Sequence, residues 1–555
     1  MRIQMILPTI LAIGAIPIVS SAQEPMTATQ VVDRVVAQEQ AQMQMLRRYS
    51  PLVETYIQMV RPNKELGAVP ANDKYFLGRA ELDKGTEIEA LIDGNNKHKF
   101  LSGIGNLFSA EFLPRGFLQM IYLDEDGFDR QHYKFAYAGK EFLGEVRCLI
   151  FDVDPLPTAG KGRFAGRIWV EDQDYHIVRF NGAYSGSSRS SYYFNFDSWR
   201  SNSSKNEWLP SSIYSEQGNV QYGVAKHSAF QAFKAQTLLW GYDLNRPENE
   251  QALSNVQIEG PNVKDQADAG NGYSPLQARR AWGRLAEDNV AAKMQRMGLM
   301  APYGDVDKVL ETVVNNLEVT NDLSIQPEVR CRVLMTSTLE SFTMGHTIVL
   351  SRGLIDVLPN EASLAAILAH ELGHVLLGHR MDTQFAFFNR TRFEEKETFR
   401  HFGFARNAEE EDAANKKAAE LLKNSPYKDL SGNAQIFFAA LQKREKEIPN
   451  LISPHLGDNV ARNSTVTTGA GATVDVAKAG GSTPEALPLG GRIKLQPWDD
   501  RLMMLKAKSE GAMAEYEKMQ FEVAPFLVYL TRPSQGTSPN EAGAVAAQSG
   551  DAPNH

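Results

Sequence analysis

One change of residue pattern along the chain constrains the fold more than any other feature of the sequence. Between residues 100 and 233, short runs alternate apolar and polar side chains with a period of two, as at Tyr133, Phe135 and Tyr137. Clusters of Gly, Asp, Asn and Ser separate these runs, which is typical of antiparallel strands joined by turns. Between residues 274 and 462 the pattern becomes mostly helical. The sequence therefore predicts an α+β protein, with an N-terminal antiparallel β domain followed by a mostly helical domain.

Further patterns refine this division. Residues 27–59 are rich in Gln, Glu, Val and Met, so we expect a helix there before the β domain. Residues 245–273 are polar and rich in Gly, Asn and Asp, which predicts a domain boundary. The helical domain carries one short strand signal, at Thr347–Leu350. Two strand patterns in the β domain, Gly166–Val170 and Tyr175–Phe180, resemble those of periplasmic lipoprotein-carrier half-barrels.

The sharpest chemical signal is the sequence His-Glu-Leu-Gly-His at residues 370–374. His370 and His374 are four residues apart, so on a helix both imidazoles lie on one face and can reach one metal ion. Glu371 lies beside them, where a carboxylate can take a proton from a water molecule at the metal. Asn360 can cap such a helix. The alternative is a pair of partly buried histidines on an amphipathic helix.

A third metal ligand is expected from elsewhere in the chain, because a catalytic zinc ion usually keeps three protein ligands and one water. The nearest downstream candidates are Glu409, Glu410 and Glu411, at the start of another helical stretch. For Glu409 and Glu410, a solvated helix N-terminus is the better explanation. His379 comes five residues after His374, roughly 140° further round the helix. We therefore expect His379 to have a structural or supporting role and not to bind the metal.

Residues 340–462 resemble the HtpX/CAAX-prenyl-protease family of zinc metallopeptidases, in its soluble, periplasmic BepA-like branch. The resemblance is carried by Ser341–Gly353, by the helix that begins at Asn360-Glu361-Ala362, and by the motif at 370–374 with Gly378-His379 after it. It implies a gluzincin-type site, in which two histidines and one glutamate hold a single zinc ion.

The family alignment also implies the remaining metal ligand. Leu421-Leu422 and Tyr427 fall on the family's second helix, and this places the metal-binding glutamate at Glu411. The family's aspartate on that helix falls on Asn415. An asparagine can still form a hydrogen bond to a metal ligand, but it brings no charge.

A late motif completes the resemblance. Ser453-Pro454-His455 resembles the family's Thr-His-Pro motif, which implies that His455 is the transition-state histidine and that Arg462 is the arginine that follows it. The order of Pro and His is reversed here, and the spacing to Arg462 is one residue longer. Two alternatives stay open: a loop histidine without a catalytic role, or a motif displaced to Gln496-Pro497 and Arg501.

These observations predict an exported zinc-dependent endopeptidase with one zinc ion per chain and no other cofactor. Its expected partners are protein or peptide substrates, including envelope proteins in quality control. The formal net charge of −9 argues against nucleic acid as a partner. Two other functions fit the same sequence: an envelope chaperone or binding module with a latent zinc site, and a zinc amidase or aminopeptidase.

The N-terminus predicts export. Residues 1–22 combine Arg2, an almost wholly apolar stretch and small residues at Ser20-Ser21-Ala22, as a secretory signal peptide does. No later segment reaches the ~18 unbroken apolar residues of a transmembrane helix. We therefore expect the mature chain to be periplasmic or secreted. Cys148 and Cys331 would then be free to form a disulfide, although two buried thiols are the simpler expectation.

The composition of the C-terminal part completes the domain prediction. One segment lacks periodicity and is rich in Thr, Gly, Ala and Pro, and the last residues are rich in Ser, Pro, Gly and Ala. In chain order, the predicted units are a signal peptide (1–22), an N-terminal helix with the antiparallel β domain (23–260), a zinc metallopeptidase domain (274–462), a flexible insert (463–491), a C-terminal helical segment (492–531) and a disordered tail (532–555).

Overall fold

The structure is a computed structural model, and it describes residues 27–63, 67–92, 114–125, 127–160, 162–184, 194–203, 207–217, 232–243, 275–379, 399–428, 431–461, 492–505, 521–526 and 528–532. Within these residues the protein is α+β, as the sequence predicts, because a large antiparallel sheet comes first and a mostly helical region follows. The predicted signal peptide, the boundary at 245–273 and nearly all of the tail lie outside the described residues. The predicted flexible insert lies outside them as well.

In the described part of the chain, ten strands form one antiparallel sheet. They are β1 (Leu52–Asn63), β2 (Gly67–Glu81), β3 (Glu87–Ala90), β4 (Tyr133–Leu143), β5 (Val146–Pro155), β6 (Phe164–Glu171), β7 (Ile177–Tyr184), β8 (Phe194–Asn202), β9 (Trp208–Gln217) and β10 (Ala232–Trp240). Their order across the sheet is β3-β2-β1-β10-β9-β8-β7-β6-β5-β4. The strands therefore follow one another as a meander, except that β10 returns to pair with β1.

Helix α1 (Ala28–Leu46) packs on the sheet through its apolar side chains. Its first turn is held by a capping box, in which Thr27 and Gln30 each accept a hydrogen bond from the other's backbone amide. The sequence predicted a helix through residue 59, and this prediction is wrong beyond residue 46. The residues from Leu52 to Ile57 are mostly β-branched, aromatic or large and apolar, and their pairing with two neighbouring strands favours the extended conformation.

The helical region surrounds a small sheet, which has the order β11-β13-β12-β14 in the described residues. Its strands are β11 (Arg330–Leu334), β12 (Glu340–Met344), β13 (Thr347–Ser351) and β14 (Asp458–Asn459). The helices of the chain after α1 are α2 (Pro114–Leu118), α3 (Pro275–Arg296), α4 (Asp305–Thr320), α5 (Arg352–Val357), α6 (Glu361–Leu377), α7 (Ala408–Lys423), α8 (Ser431–Arg444) and α9 (Pro449–Ile452). The strand expected at Thr347–Leu350 is present as β13.

The large sheet and the helical region share one hydrophobic core. Apolar side chains of β1, β2 and β10 belong to the same buried cluster as those of the helices. Buried polar contacts cross the same junction. Glu54 of β1 accepts hydrogen bonds from Ser337 N at 2.6 Å and from Arg352 Nη2 at 3.0 Å, and Asp73 of β2 accepts one from Leu451 N at 2.8 Å.

The C-terminal part differs from the sequence prediction. Strands β15 (Ile493–Leu495) and β16 (Leu502–Met504) form a two-stranded antiparallel sheet where a helical segment was predicted at 492–531. The residues between these strands explain the difference, because Pro497 and two aspartates favour a turn. Asp500 adopts a left-handed conformation with φ of 58°. Residues 506–520 lie outside the described part of the chain.

Two further expectations concern the membrane and the cysteines. Among the described residues, no helix combines the length and the apolar character needed to cross a bilayer. Cys148 and Cys331 are both buried free thiols, which is the simpler of the two expectations. Burial raises the pKa of Cys148 to about 12, so this thiol stays protonated and unreactive at neutral pH.

Candidate metal centre

Helix α6 presents the two histidines of the motif to the protein interior. Asn360 caps its N-terminus by accepting a hydrogen bond from Ser363 N at 2.9 Å, as the sequence predicts. Gly378 ends the helix in the left-handed conformation with φ of 68°, a conformation that glycine adopts without strain. Residues 362–375 are all buried, which explains why this helix is apolar all round.

The metal-ligating atoms of three residues converge. His370 Nε2 and His374 Nε2 are 3.0 Å apart. Glu411 of α7 reaches both rings, with Oε2 at 3.4 Å from His370 Nε2 and Oε1 at 3.6 Å from His374 Nε2. One ligand atom from each residue lies within 4.8 Å of the others. These are the three residues that the sequence predicted as metal ligands, and together they could hold a metal ion.

Close contact between α6 and α7 allows Glu411 to reach the histidines. A Cβ atom at Gly373 would lie 2.9 Å from Ala414 O, so a larger residue would push the two helices apart. Asn407 caps α7 by accepting hydrogen bonds from Glu409 N at 3.0 Å and Glu410 N at 2.9 Å. Glu409 and Glu410 are thus first-turn residues of this helix, as expected, and Glu411 is the acidic residue that joins the metal-ligating group.

Both histidines are oriented by a second contact. His370 Nδ1 lies 2.9 Å from Asn415 Oδ1, and because this oxygen accepts, the imidazole carries its proton on Nδ1 and turns an unprotonated Nε2 toward the metal position. His374 Nδ1 lies 2.7 Å from His379 Nδ1. Asn415 and His379 therefore support the ligands, as the sequence suggested for each of them.

Glu371 lies on the same helix, fully buried beside the metal-ligating group. Ser341 Oγ of β12 donates a hydrogen bond of 2.6 Å to Glu371 Oε1, while Oε2 has no hydrogen-bond partner. Burial raises the pKa of Glu371 to about 8, and the negative charge of Glu411 adds to this shift. A cation held by Glu411 would offset that second contribution and favour the ionised form of Glu371.

Sequence reasoning did not single out Asp458, which belongs to this site. It lies on β14 directly opposite Ser341, so both side chains share the face of the sheet that meets Glu371. Its Oδ1 accepts a hydrogen bond from Arg406 N at 2.8 Å, and its buried Oδ2 has no hydrogen-bond partner. Burial and the charges of Glu371 and Glu411 raise the pKa of Asp458 to about 8. A strand of two residues carries no periodicity, so no sequence signal marked this residue.

The ring of His455 lies against the large sheet. It stacks on Tyr75 of β2, with ring centroids 5.1 Å apart and planes at 21°, and its backbone amide donates to Glu340 Oε2 at 3.1 Å. Burial lowers the pKa of His455, although the charges of Glu340 and Glu54 oppose this shift. The carboxylates near His455 are thus those of Glu340 and Glu54, and Glu54 lies at the junction between the large sheet and the helical region. Its catalytic role stays a prediction.

Two arginines were named with His455, and the structure describes one of them. Arg462 lies outside the described residues. Arg501, the arginine of the displaced alternative, is exposed next to the β15–β16 hairpin, where its Nε lies 3.3 Å from Asp499 Oδ2.

The donor atoms fit a divalent metal ion. Both oxygens of Glu411 are buried without a hydrogen-bond partner, as is Oε2 of Glu371, and such orphaned atoms are costly unless a ligand satisfies them. The carboxylates of Glu371, Glu411 and Asp458 carry three negative charges when ionised, and the guanidinium of Arg406 carries one positive charge. The net charge of the site is then −2. A divalent cation balances this charge. Two imidazole nitrogens and one carboxylate oxygen are a donor set typical of catalytic zinc.

A buried pair of histidines and a glutamate, with a second carboxylate beside them, is an arrangement that metal-dependent hydrolases use. Residues 304–437 match the model of peptidase family M48. The match includes α6 and α7 and therefore all three residues that could hold a metal ion. This part of the chain is an M48-family metallopeptidase domain, and peptidase activity implies protein or peptide substrates.

The remaining comparisons add no functional information. No curated protein matches the chain. One similar solved structure, from Vibrio parahaemolyticus, is described as "putative outer membrane lipoprotein-sorting protein domain"; it is 8% identical, with a TM-score of 0.21, and the match covers 41% of this chain and 98% of that one. A DUF1329 family protein from Desulfovibrio piger is also 8% identical, with a TM-score of 0.19 and the same coverage. Scores this low carry no argument about the sheet.

Proposed function

We propose that this protein is an exported zinc-dependent endopeptidase of the cell envelope, with one zinc ion per chain. The observation that carries the proposal is the convergence of His370, His374 and Glu411 beside the buried carboxylate of Glu371. The match to peptidase family M48 supports peptide-bond hydrolysis. The signal-peptide pattern at residues 1–22 supports export to the periplasm or the medium, and envelope proteins are then the substrates within reach. The BepA-like branch and a role in quality control belong to the same proposal.

When bound, zinc supplies Lewis acidity, which makes water a stronger acid and polarises the scissile carbonyl. Glu371 takes one proton from the attacking water through its Oε2, while Ser341 holds Oε1 in place. The water oxygen bonds to the carbonyl carbon, and the carbonyl oxygen becomes negatively charged. When the carbon–nitrogen bond breaks, the proton passes from Glu371 to the departing amine. Water has then been added across the peptide bond, and Glu371 is ionised again.

Substitution of Glu371 tests this proposal directly. Gln has the same shape as Glu but cannot accept the proton, so Glu371→Gln is expected to keep zinc and to lose peptide cleavage by at least ~10²-fold. The assay compares wild-type and variant protein on casein and on an internally quenched peptide, before and after zinc removal by a chelator. Cleavage by Glu371→Gln at close to the wild-type rate would contradict the proposed mechanism.

One observation favours a second candidate function, a zinc aminopeptidase. Asp458 adds a third carboxyl group to the site, and its buried Oδ2, which has no hydrogen-bond partner, can accept a hydrogen bond from a substrate's free α-amine. An endopeptidase cleaves a peptide with an acetylated N-terminus as readily as the free peptide. Cleavage that requires the free amine, and that Asp458→Asn abolishes, would instead identify an aminopeptidase.

A further inference from the structure

Arg406 brings a positive charge to the metal centre from the loop that precedes α7. Its Nη2 donates hydrogen bonds to two oxygens of Thr343 on β12, the carbonyl at 3.2 Å and Oγ1 at 3.1 Å. Its backbone amide donates to Asp458 Oδ1 at 2.8 Å. The residue is therefore anchored at both ends, by its guanidinium and by its main chain, to two neighbouring strands of the small sheet.

These anchors lie on the face of the sheet that meets Glu371. Side chains two residues apart on a strand share a face and are separated by roughly 7 Å. Thr343 is thus on the same face as Ser341, which donates to Glu371, and Asp458 is directly opposite Ser341 on β14. The guanidinium of Arg406 is consequently held about one strand repeat from the catalytic carboxylate.

The electrostatics of the site agree with this placement. The positive charge of Arg406 opposes the burial-driven rise in the pKa of Glu371. The same charge also acts on His374, which agrees with a guanidinium close to the proposed metal position. Arg406 thus acts on the proton acceptor and on a metal ligand together.

We infer that Arg406 is a catalytic residue, whose guanidinium stabilises the negative charge that develops on the carbonyl oxygen when water attacks the peptide bond. This inference rests on the proposed peptidase function and names a residue that the sequence did not suggest. It assigns to Arg406 the electrostatic role expected of His455, whose ring packs on Tyr75 beside Glu340 and Glu54. A fixed charge in a water-excluded site stabilises such an oxyanion without reorganisation.

The test compares four variants of the zinc-loaded protein, one of which, His455→Gln, removes the imidazole that was expected to have this role. Arg406→Gln removes the charge, and Arg406→Lys keeps it. Arg400→Gln is the matched control, because it removes the same charge from an exposed position six residues earlier in the same segment. Zinc content and the thermal midpoint are measured for each variant, so that loss of metal or of fold is recognised separately.

Two readouts distinguish a catalytic from a structural role. The first is the division between kcat and KM on an internally quenched peptide. The second is calorimetric binding of a phosphinic peptide, whose tetrahedral anion mimics the transition state, compared with binding of the uncharged peptide amide of the same sequence. The second readout needs a zinc-loaded site but no turnover.

We expect Arg406→Gln to lower kcat by about 10²-fold with KM changed less than about threefold, and to weaken phosphinate binding by a similar factor while amide binding is kept. Arg406→Lys should recover at least about tenfold of both losses, and Arg400→Gln should match the wild type.

Equal weakening of phosphinate and amide binding by Arg406→Gln would overturn the inference, as would unchanged phosphinate binding. Loss of the preference for the phosphinate in His455→Gln but not in Arg406→Gln would also overturn the inference. A wild-type protein that binds zinc and phosphinate without cleaving peptides would instead contradict the proposed function, and the phosphinate comparison would still decide the role of Arg406.

Discussion

Glu54 is the residue whose replacement should most disturb the junction between the large sheet and the helical region. Its carboxylate is 1% exposed, and its partner Arg352 is 2% exposed. It accepts hydrogen bonds from Tyr75 Oη at 2.8 Å, Ser337 N at 2.6 Å, Ser337 Oγ at 2.8 Å and Arg352 Nη2 at 3.0 Å. The change Glu54→Gln removes the charge and places an amide NH2 group where one oxygen accepts.

The expected cost follows from the desolvated charge that remains. Arg352 would stay buried, with hydrogen bonds to Met335 O at 3.0 Å and Ser337 Oγ at 2.9 Å but without its carboxylate. Removing one partner of a buried ion pair typically costs ~3–5 kcal/mol, and we expect Glu54→Gln to lower the free energy of unfolding by about that amount. The double variant Glu54→Gln/Arg352→Met should recover most of the loss, because no unpaired charge is left.

Chemical denaturation of the full chain, followed by tryptophan fluorescence and circular dichroism, measures these differences. The matched control is Arg61→Gln, because the Arg61–Glu447 pair also links β1 to the helical region but the Arg61 side chain is 57% exposed. It should cost less than about 1 kcal/mol. A loss below about 1 kcal/mol in Glu54→Gln, or separate unfolding transitions for the sheet and the helical region, would refute the shared core.

Two other predictions concern the support of the metal and the effect of pH. Asn415→Leu should weaken zinc binding by about 10–100-fold in a competition titration with a chromogenic chelator, because His370 loses the acceptor for its Nδ1 proton; unchanged affinity would contradict this role. Burial raises the pKa of Asp307 to about 6 from 3.8. Between these two pH values the folded state binds more protons than the unfolded state, so the free energy of unfolding falls as the pH rises from 3.8 to about 6. Asp307→Asn should therefore raise the free energy of unfolding by on the order of 2 kcal/mol at pH 8 but not at pH 4, and an equal effect at both values would show that its carboxylate does not titrate in this way.

The sequence predicted those parts of the site that depend on local helix geometry. His370 and His374 needed only the four-residue spacing and an apolar helix, whereas Glu411 was selected from three first-turn glutamates by the resemblance to the metallopeptidase family. The same resemblance implied the supporting role of Asn415, which lies one turn after Glu411 on this helix. Each of these predictions rests on contacts between two helices whose limits are marked by capping residues.

The parts that the sequence did not predict depend on contacts between distant segments. Asp458 lies on a strand of two residues, and it reaches the site only because β14 pairs with β12. No local sequence pattern marks Arg406, whose position depends on its hydrogen bonds to Thr343 and Asp458. The β1 segment was taken for a helix because its composition resembles that of α1, but pairing with β2 and β10 decides its conformation. The C-terminal hairpin was missed for a related reason, since the turn residues from Pro497 to Asp500 interrupt an otherwise helix-like composition.

Zinc content across the acidic run at the start of α7 tests the central claim most directly. Metal analysis of protein purified without chelator should find about one zinc ion per chain in the wild type, and the same in Glu409→Ala and Glu410→Ala. Glu411→Ala should lose most of the metal, because its two orphaned oxygens complete the donor set with His370 and His374. Full zinc content in Glu411→Ala, or none in the wild type even after reconstitution, would contradict the assignment of this site.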